Sequence, residues 1–224
     1  MKVGDKPLSR IVVLISGSGS NLQSLIDACN EGRIDGKIMA VISNRPSVKG
    51  LERASVAGIP SIVADHRAFQ SREDFDEYLA DLIDGFTPDL IVLAGFMRIL
   101  TDDFVNQFVG KIINIHPSLL PAYPGLNTHQ RAIEAGDSVA GATVHFVTPE
   151  LDGGPAILQV EVPVLSTDTP TELAARVLIE EHKIYPLVAQ WHCQGRVFMN
   201  KGMVFHDSVE VGESGLLFSN QIEH

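Results

Sequence analysis

The sequence predicts an α/β fold built on a mainly parallel, twisted sheet, with antiparallel strands added in the C-terminal half. Three observations carry this. Short β-branched and aliphatic runs at Ile11 to Ile15, Ile38 to Ile42, Ile59 to Ala64 and Asp89 to Ala94 alternate with segments of helical spacing. Strands alternating with helices at that spacing imply right-handed crossovers and parallel neighbours. From Gly141 onward, two strand-like stretches are separated only by a tight turn, and this close pair reads as antiparallel.

Ile11 to Ile15 ends in Ser16-Gly17-Ser18-Gly19-Ser20-Asn21, after which Leu22, Leu25, Ile26 and Cys29 recur at helical spacing. This strand, glycine loop and helix make the N-terminal half Rossmann-like. Such a turn presents backbone N–H groups at the positive end of a helix dipole, where a phosphate can be held. The dinucleotide fingerprint needs glycine at the position of Leu22 and the Walker lysine is absent, so neither NAD nor a nucleoside triphosphate is favoured. A tight turn with no ligand is the alternative. Ile38 to Ile42 leads to Asn44-Arg45-Pro46 and a short helix, Leu51 to Ala57, stopped by Gly58. Ser71-Arg72-Glu73-Asp74 resembles a capping box, and Phe75, Leu79, Leu82, Ile83 and Phe86 mark the buried stripe that follows. After Asp89 to Ala94, Met97, Arg98, Ile99 and Leu100 form either a wall for a planar ligand or ordinary core, and Thr101 caps a short helix.

Gly110 to Thr128 is the stretch on which the chain converges. Ile112, Ile113 and Ile115 read as a strand, and the period of two puts Asn114 and His116 on one face. Pro117, Pro121 and Pro124 then forbid the ladder, leaving a stiff loop at a strand's carboxyl end, where open α/β sheets bind ligands. A helix from about Thr128 to Glu134 stops near Gly136. Gly141 to Thr148 places Thr143, His145 and Val147 on one face, and Glu150 to Pro155 forms an acidic turn before the strand Ala156 to Val162. Asp152 is either a turn residue or, beside a histidine, a carboxylate that fixes imidazole charge or carries protons. Thr169-Pro170-Thr171-Glu172 combines an N-cap, proline at the first helical position and a reciprocal glutamate. The long helix that follows buries Leu173, Val177, Leu178, Ile184, Leu187 and Val188, reaches about Trp191 and is interrupted or kinked before Pro186. Arg196 to Met199 and Met203 to His206 are short strand-like pieces, and the last dozen residues are expected to be mobile.

At 224 residues and 45% hydrophobic, the chain is expected to form one domain over residues 1–200, with 201–224 as a C-terminal extension. Its halves are about 10–110, binding phosphate, and about 111–200. Seventeen basic against 28 acidic residues give a net charge of −11, which argues against a nucleic-acid surface and for small ligands. Cys29 and Cys193 stand far apart with no zinc-ligand spacing, the first ten residues carry no apolar h-region, and no apolar run is long enough to span a bilayer. A cytoplasmic protein without a membrane partner or a metal is the expectation; His116, His145 and Asp152 lack simple metal-ligand spacing.

Five motifs, Ile15 to Gln23, Ala94 to Leu100, Asn114 to Pro121, Val144 to Thr148 and Leu151 to Pro155, occur together in this order. So arranged, over about Ile11 to Trp191, they resemble the phosphoribosylglycinamide formyltransferases. The Asn-x-His-Pro-Ser-Leu-Leu-Pro and Leu-Asp-Gly-Gly-Pro motifs are similar to those of the wider formyltetrahydrofolate-using enzymes, and the glycine-Ser-Asn loop marks this member. The resemblance implies the formyltransferase fold and transfer of the formyl group of 10-formyltetrahydrofolate, as co-substrate, to the amine of glycinamide ribonucleotide in purine biosynthesis. It implies Asn114, His116 and Asp152 as the catalytic trio. Gly19, Ser20 and Asn21 would hold the phosphate and Glu181 would meet the ribose. Met97, Arg98, Ile99, Leu100, Val105, Val147 and Asn114 would border the folate. Two positions depart from the family pattern: Asn127, where a second loop histidine is found, and Leu178, where a polar residue stands near the phosphate. A monomer or homodimer is expected.

On this reading Asn114 and protonated His116 donate to the oxyanion of the tetrahedral intermediate, and Asp152 favours the charged imidazole and accepts the amine proton directly or through water. The rivals are formyltetrahydrofolate hydrolase, sugar-nucleotide formyltransferase and methionyl-tRNA formyltransferase. The tRNA enzyme and the hydrolase are each expected to need an additional domain for which this length leaves no room. A non-catalytic nucleotide- or folate-binding module would keep the glycine loop without needing the trio.

Overall fold

The computed structural model describes residues 7–219. The first unit is strand β1 (Ser9–Ile15), helix α1 (Ser20–Asn30) and β2 (Gly36–Ser43); α2 (Lys49–Val56) and β3 (Ser61–Val63) follow, then α3 (Arg72–Asp84), β4 (Leu90–Leu93), α4 (Asp102–Gln107) and β5 (Ile112–His116). The later half comprises α5 (Thr128–Ala135), β6 (Val139–Phe146), β7 (Ala156–Pro163), α6 (Pro170–Gln194), β8 (Val197–Asn200), β9 (Met203–His206), β10 (Val209–Glu210) and β11 (Leu216–Leu217).

An eight-stranded sheet runs in the order β11-β7-β6-β5-β4-β1-β2-β3. Strands β3, β2, β1, β4 and β5 pair in parallel, β6 is antiparallel to both β5 and β7, and β11 is parallel to β7. The expected mixture of parallel and antiparallel strands is therefore present. The chain leaves β1 toward one edge and returns at β4 on the other side. The order thus reverses between β1 and β4, the place where loops diverge and a crevice opens at the strands' carboxyl ends.

Both faces of the sheet are covered, as continuous apolar strands require. Val12, Leu14, Ile91 and Ile112 pack with Phe75, Leu79, Ile83 and Phe104 of α3 and α4, whereas Ile11, Val13, Val92 and Ile113 pack with Leu22, Leu25, Val177, Ile184 and Val188 of α1 and α6. Alternate residues of one strand thus serve opposite layers.

Helix starts follow the predicted chemistry with one difference. Thr169 and Glu172 make a full capping box, and Thr101 accepts from Phe104 N. Ser71 accepts from Asp74 N, but the reciprocal half of a box is absent there. Of the expected interruption or kink before Pro186, the interruption does not occur: α6 runs through it as 25 residues. Ile184, Tyr185, Val188 and Ala189 are fully buried around the proline, so tertiary packing offsets the lost helical hydrogen bond. Leu178 and Leu187 are only half-buried, and Tyr185 and Trp191 carry more of the inward face.

The expectation of a mobile last dozen residues fails for part of that stretch. Leu216 and Leu217 pair with Leu158 and Gln159 of β7, and Phe218 N donates to Gln159 O at 2.7 Å, because the exposed edge of β7 offers unpaired backbone groups. The rest of that expectation falls on residues 220–224, outside the described residues. Among the described residues, no helix is long and apolar enough to cross a membrane.

Candidate active site

Strand β5 delivers Asn114 and His116 to the crevice. Opposite Asn114 in the antiparallel register stands His145 of β6, and Asn114 Nδ2 lies 3.2 Å from His145 Nε2. His145 Nδ1 lies 2.9 Å from Phe146 O, so Nδ1 carries the proton and Nε2 accepts from the Asn114 amide. Burial pushes the His145 imidazole below its ordinary range, the Phe146 carbonyl and Asp152 opposing and His116 assisting. The neutral ring fixes which way the Asn114 amide points. One Nδ2 hydrogen and Oδ1 remain for a ligand.

His116 is held between two acceptors. Its Nε2 donates to Tyr123 O at 2.9 Å, and its Nδ1 faces Asp152 Oδ2 at 3.4 Å. The imidazolium form satisfies both. Asp152 Oδ2 also accepts from Gly125 N at 2.8 Å, tying the acidic turn to the proline loop. His116 and Asp152 are nearly buried, and the pair is thereby shielded from solvent. Asp152 (φ 50), Tyr123 (φ 55) and Asn127 (φ 58) all occupy the left-handed region although none is glycine. Each costs about 1 kcal/mol or more, held by the surrounding bonds.

A buried polar strut holds this loop, and nothing in the sequence reading pointed to it. Thr143 Oγ1 donates to Ser118 O and accepts from Leu120 N, while Gln159 Nε2 donates to both Leu120 O at 2.7 Å and Thr143 Oγ1 at 2.9 Å. The peptide between Leu120 and Pro121 is cis. A glutamine within the apolar run Ala-Ile-Leu-Gln-Val was the available signal. Tyr185 was likewise missed: fully buried, its hydroxyl lies 3.0 Å from Leu93 O and 3.1 Å from Ile113 O, bracing β4 and β5 beneath the site.

Beside Asn114 a cleft is lined by Arg98, Leu100, Val105, His145, Val147 and Asp152, together with Ile99 and the Glu150–Leu151 turn. Of the expected wall, Met97 is the exception. Its backbone N donates to Ser16 Oγ at 2.8 Å, but its side chain is 63% exposed and does not line the cleft. Arg98 stacks on the Phe75 ring at 4.7 Å, and its Nε is buried without a partner.

The glycine loop lies across the switch point. Gly19 (φ 68) precedes α1, and a Cβ there would come 2.7 Å from Gly50 Cα. Only glycine satisfies both conditions. No side chain caps α1 and no acid occupies its first turn, so its leading N–H groups stay available. Asn21 and Glu181 do not point separately into the crevice: Asn21 Nδ2 donates to Glu181 Oε2 at 2.7 Å. Asn21 Oδ1 is buried without a partner. Burial pushes the Glu181 carboxyl up, with the Asn21 bond opposing. Leu178 is half-buried on α6, and Asn127 is the residue preceding α5.

A profile described as formyl transferase matches residues 9–189. Among curated proteins, the phosphoribosylglycinamide formyltransferase of Escherichia coli K12 is 52% identical over 205 residues, covering 92% of this chain and 97% of that protein. The human trifunctional purine biosynthetic protein adenosine-3 is 44% identical over 211 residues, 94% of this chain but 20% of that protein. Among solved structures, the phosphoribosylglycinamide formyltransferase of Coxiella burnetii superposes with a TM-score of 0.91 at 48% identity, covering 96% of this chain and all of that one.

Proposed function

The chain belongs to the formyl transferase family, and from that premise we propose how its residues divide the transfer of a formyl group from 10-formyltetrahydrofolate to the amine of glycinamide ribonucleotide. The products are formylglycinamide ribonucleotide and tetrahydrofolate, and the reaction serves purine biosynthesis. The reading rests on one convergence. An oriented amide, an imidazole between two acceptors and a carboxylate meet beside a cleft, at the switch point that also carries an uncapped helix N-terminus.

The nucleotide amine attacks the formyl carbon, a C–N bond forms, and the carbonyl oxygen takes the electron pair. The free Nδ2 hydrogen of Asn114 donates to that oxygen; such a donor lowers the barrier by about 3 kcal/mol. His116 keeps Nε2 on Tyr123 O and shares its long Nδ1 contact between Asp152 and the oxyanion. Asp152 accepts the amine proton, directly or through water, and the proton passes to folate N10 as its bond to carbon breaks. Arg98, Ile99, Leu100, Val105 and Val147 border the folate ring, with Met97 at the outer side. Gly19, Ser20 and Asn21 bind the phosphate through the first turn of α1. Glu181, oriented by Asn21, accepts from ribose hydroxyls through its second oxygen.

Residues 1–200 form one formyltransferase domain on this reading, with 201–224 an extension. The enzyme works in the cytoplasm on small molecules, without metal, as a monomer or homodimer. The test is formyl transfer followed by folate absorbance, wild type against Asp152→Asn. Loss of turnover in the variant supports the trio; formate release by the wild type without nucleotide supports a hydrolase instead.

A further inference from the structure

The glycine loop contains no Lys or Arg between Ser16 and Gln23, yet a phosphate monoester brings up to two negative charges into a chain of net charge −11. The missing cation comes from the neighbouring helix. Gly50, at the start of α2, packs on Gly19, and Gly50 N donates to Gly17 O at 3.1 Å. That contact brings Arg53, one turn along α2, against the loop: a Cβ at Gly19 would come 3.4 Å from Arg53 Cδ. Arg53 Nε donates to Ser18 O at 2.9 Å, and its Nη1 donates to Gln23 Oε1 at 3.0 Å.

Arg53 has no carboxylate partner among the described residues, whereas Arg33, Arg67, Arg72, Arg176 and Arg196 each have one. Its two bonds go to neutral oxygens, so its full charge remains beside the loop, and three of its five guanidinium hydrogens are unused. The charge is felt locally. The nearby His182 imidazole is pushed down by burial and, second, by Arg53.

We propose that Arg53 is a specificity-determining residue for the substrate phosphate: it sets the Ser18 turn through Nε and supplies the positive charge by which the loop selects a phosphorylated nucleotide over its neutral nucleoside. This rests on the reading of the glycine loop as the phosphate site. Helix N–H groups orient an anion, but a guanidinium roughly doubles the strength of each bond it makes to one. Gly19 and Gly50 are the device that brings Arg53 close.

The experiment compares wild type, Arg53→Gln and Arg53→Lys, using glycinamide ribonucleotide and its 5′-dephosphorylated nucleoside as alternative acceptors. Gln keeps a donor for Ser18 O without the charge; Lys keeps the charge. In Arg53→Gln, KM for the nucleotide should rise about 10- to 100-fold, with most of the loss in KM and little in kcat. The kcat/KM for the nucleoside should be unchanged, and Arg53→Lys should recover most of the nucleotide KM. Equal losses with both acceptors, or an unchanged nucleotide KM, would overturn the proposal. Calorimetric titration with inorganic phosphate is independent of turnover: weaker binding to Arg53→Gln than to wild type supports it even if the wild type transfers no formyl group, and equal binding refutes it.

Discussion

Asn114 and His145 meet across the antiparallel pair β5–β6, the amide nitrogen of one donating at 3.2 Å to an imidazole whose other nitrogen is committed to Phe146 O. The amide is therefore aimed before any ligand arrives, as electrostatic stabilisation of a developing oxyanion requires.

Removing the aim should act on turnover more than on binding. His145→Leu leaves Asn114 in place with its rotamer unsupported, and kcat should fall up to about 100-fold with little change in either KM. Asn114→Leu should cost about 100- to 1,000-fold. Steady-state kinetics on folded variants decides this; an unchanged kcat in His145→Leu would show that the amide needs no support.

The Gln159 strut predicts a combined effect on stability and rate. Gln159→Leu leaves Leu120 O without a side-chain donor in a buried site and removes one of the two donors to Thr143 Oγ1, the other being Leu120 N, a loss of about 1–3 kcal/mol. Loosening of the loop that carries Tyr123 O should also lower kcat. Chemical denaturation and kcat on the same preparation measure both; loss of stability alone would separate the strut from His116.

Glu181 should show opposed contributions to stability and function. Its carboxyl is raised by burial, so its stabilising contribution is fully present below the unfolded-state pKa and is lost as pH rises through the higher folded value. Glu181→Gln removes this titration, and with it the loss of stability that accompanies rising pH. The melting temperature of the variant relative to wild type should rise as pH rises, yet the variant should bind glycinamide ribonucleotide more weakly if Glu181 is the proposed ribose acceptor. A difference in melting temperature that shrinks as pH rises would contradict the sign.

Buried histidines set the acid side of the stability curve. His145 and His192 are held below their ordinary range by burial, so their contribution is complete above the unfolded value of 6.5 and is lost as pH falls through the depressed folded values. Thermal melts from pH 7.5 to 5.5 should show falling stability. His192→Phe, which keeps a ring beside Phe146, should flatten the fall without moving the site, and an unaltered slope would assign the effect to other groups.

Much of this molecule was legible in its local chemistry. Continuous apolar runs with helical segments between them predict a covered parallel sheet, because a strand buried on both faces cannot alternate. The capping box at Thr169 and the glycine before α1 read directly, since caps and left-handed turns depend on a few adjacent residues. The segment around Asn114 and His116 was also conspicuous, because a strand ending in prolines can only continue as a loop.

What stayed hidden were relationships between residues distant in the chain. His145 becomes the partner of Asn114 through the β5–β6 register, Gln159 reaches Leu120 across two strands, and Tyr185 braces β4 and β5 from a helix. Local propensity left open an interruption at Pro186, where surrounding core contacts keep α6 continuous, and favoured mobility near the C-terminus, where the open edge of β7 takes up Leu216 and Leu217. Sequence determines which groups are present and which face of an element they occupy. Packing of those elements decides which of them touch, because hydrogen bonds and charges act over a few ångströms and side chains far apart along the chain come within that range only once the sheet is assembled.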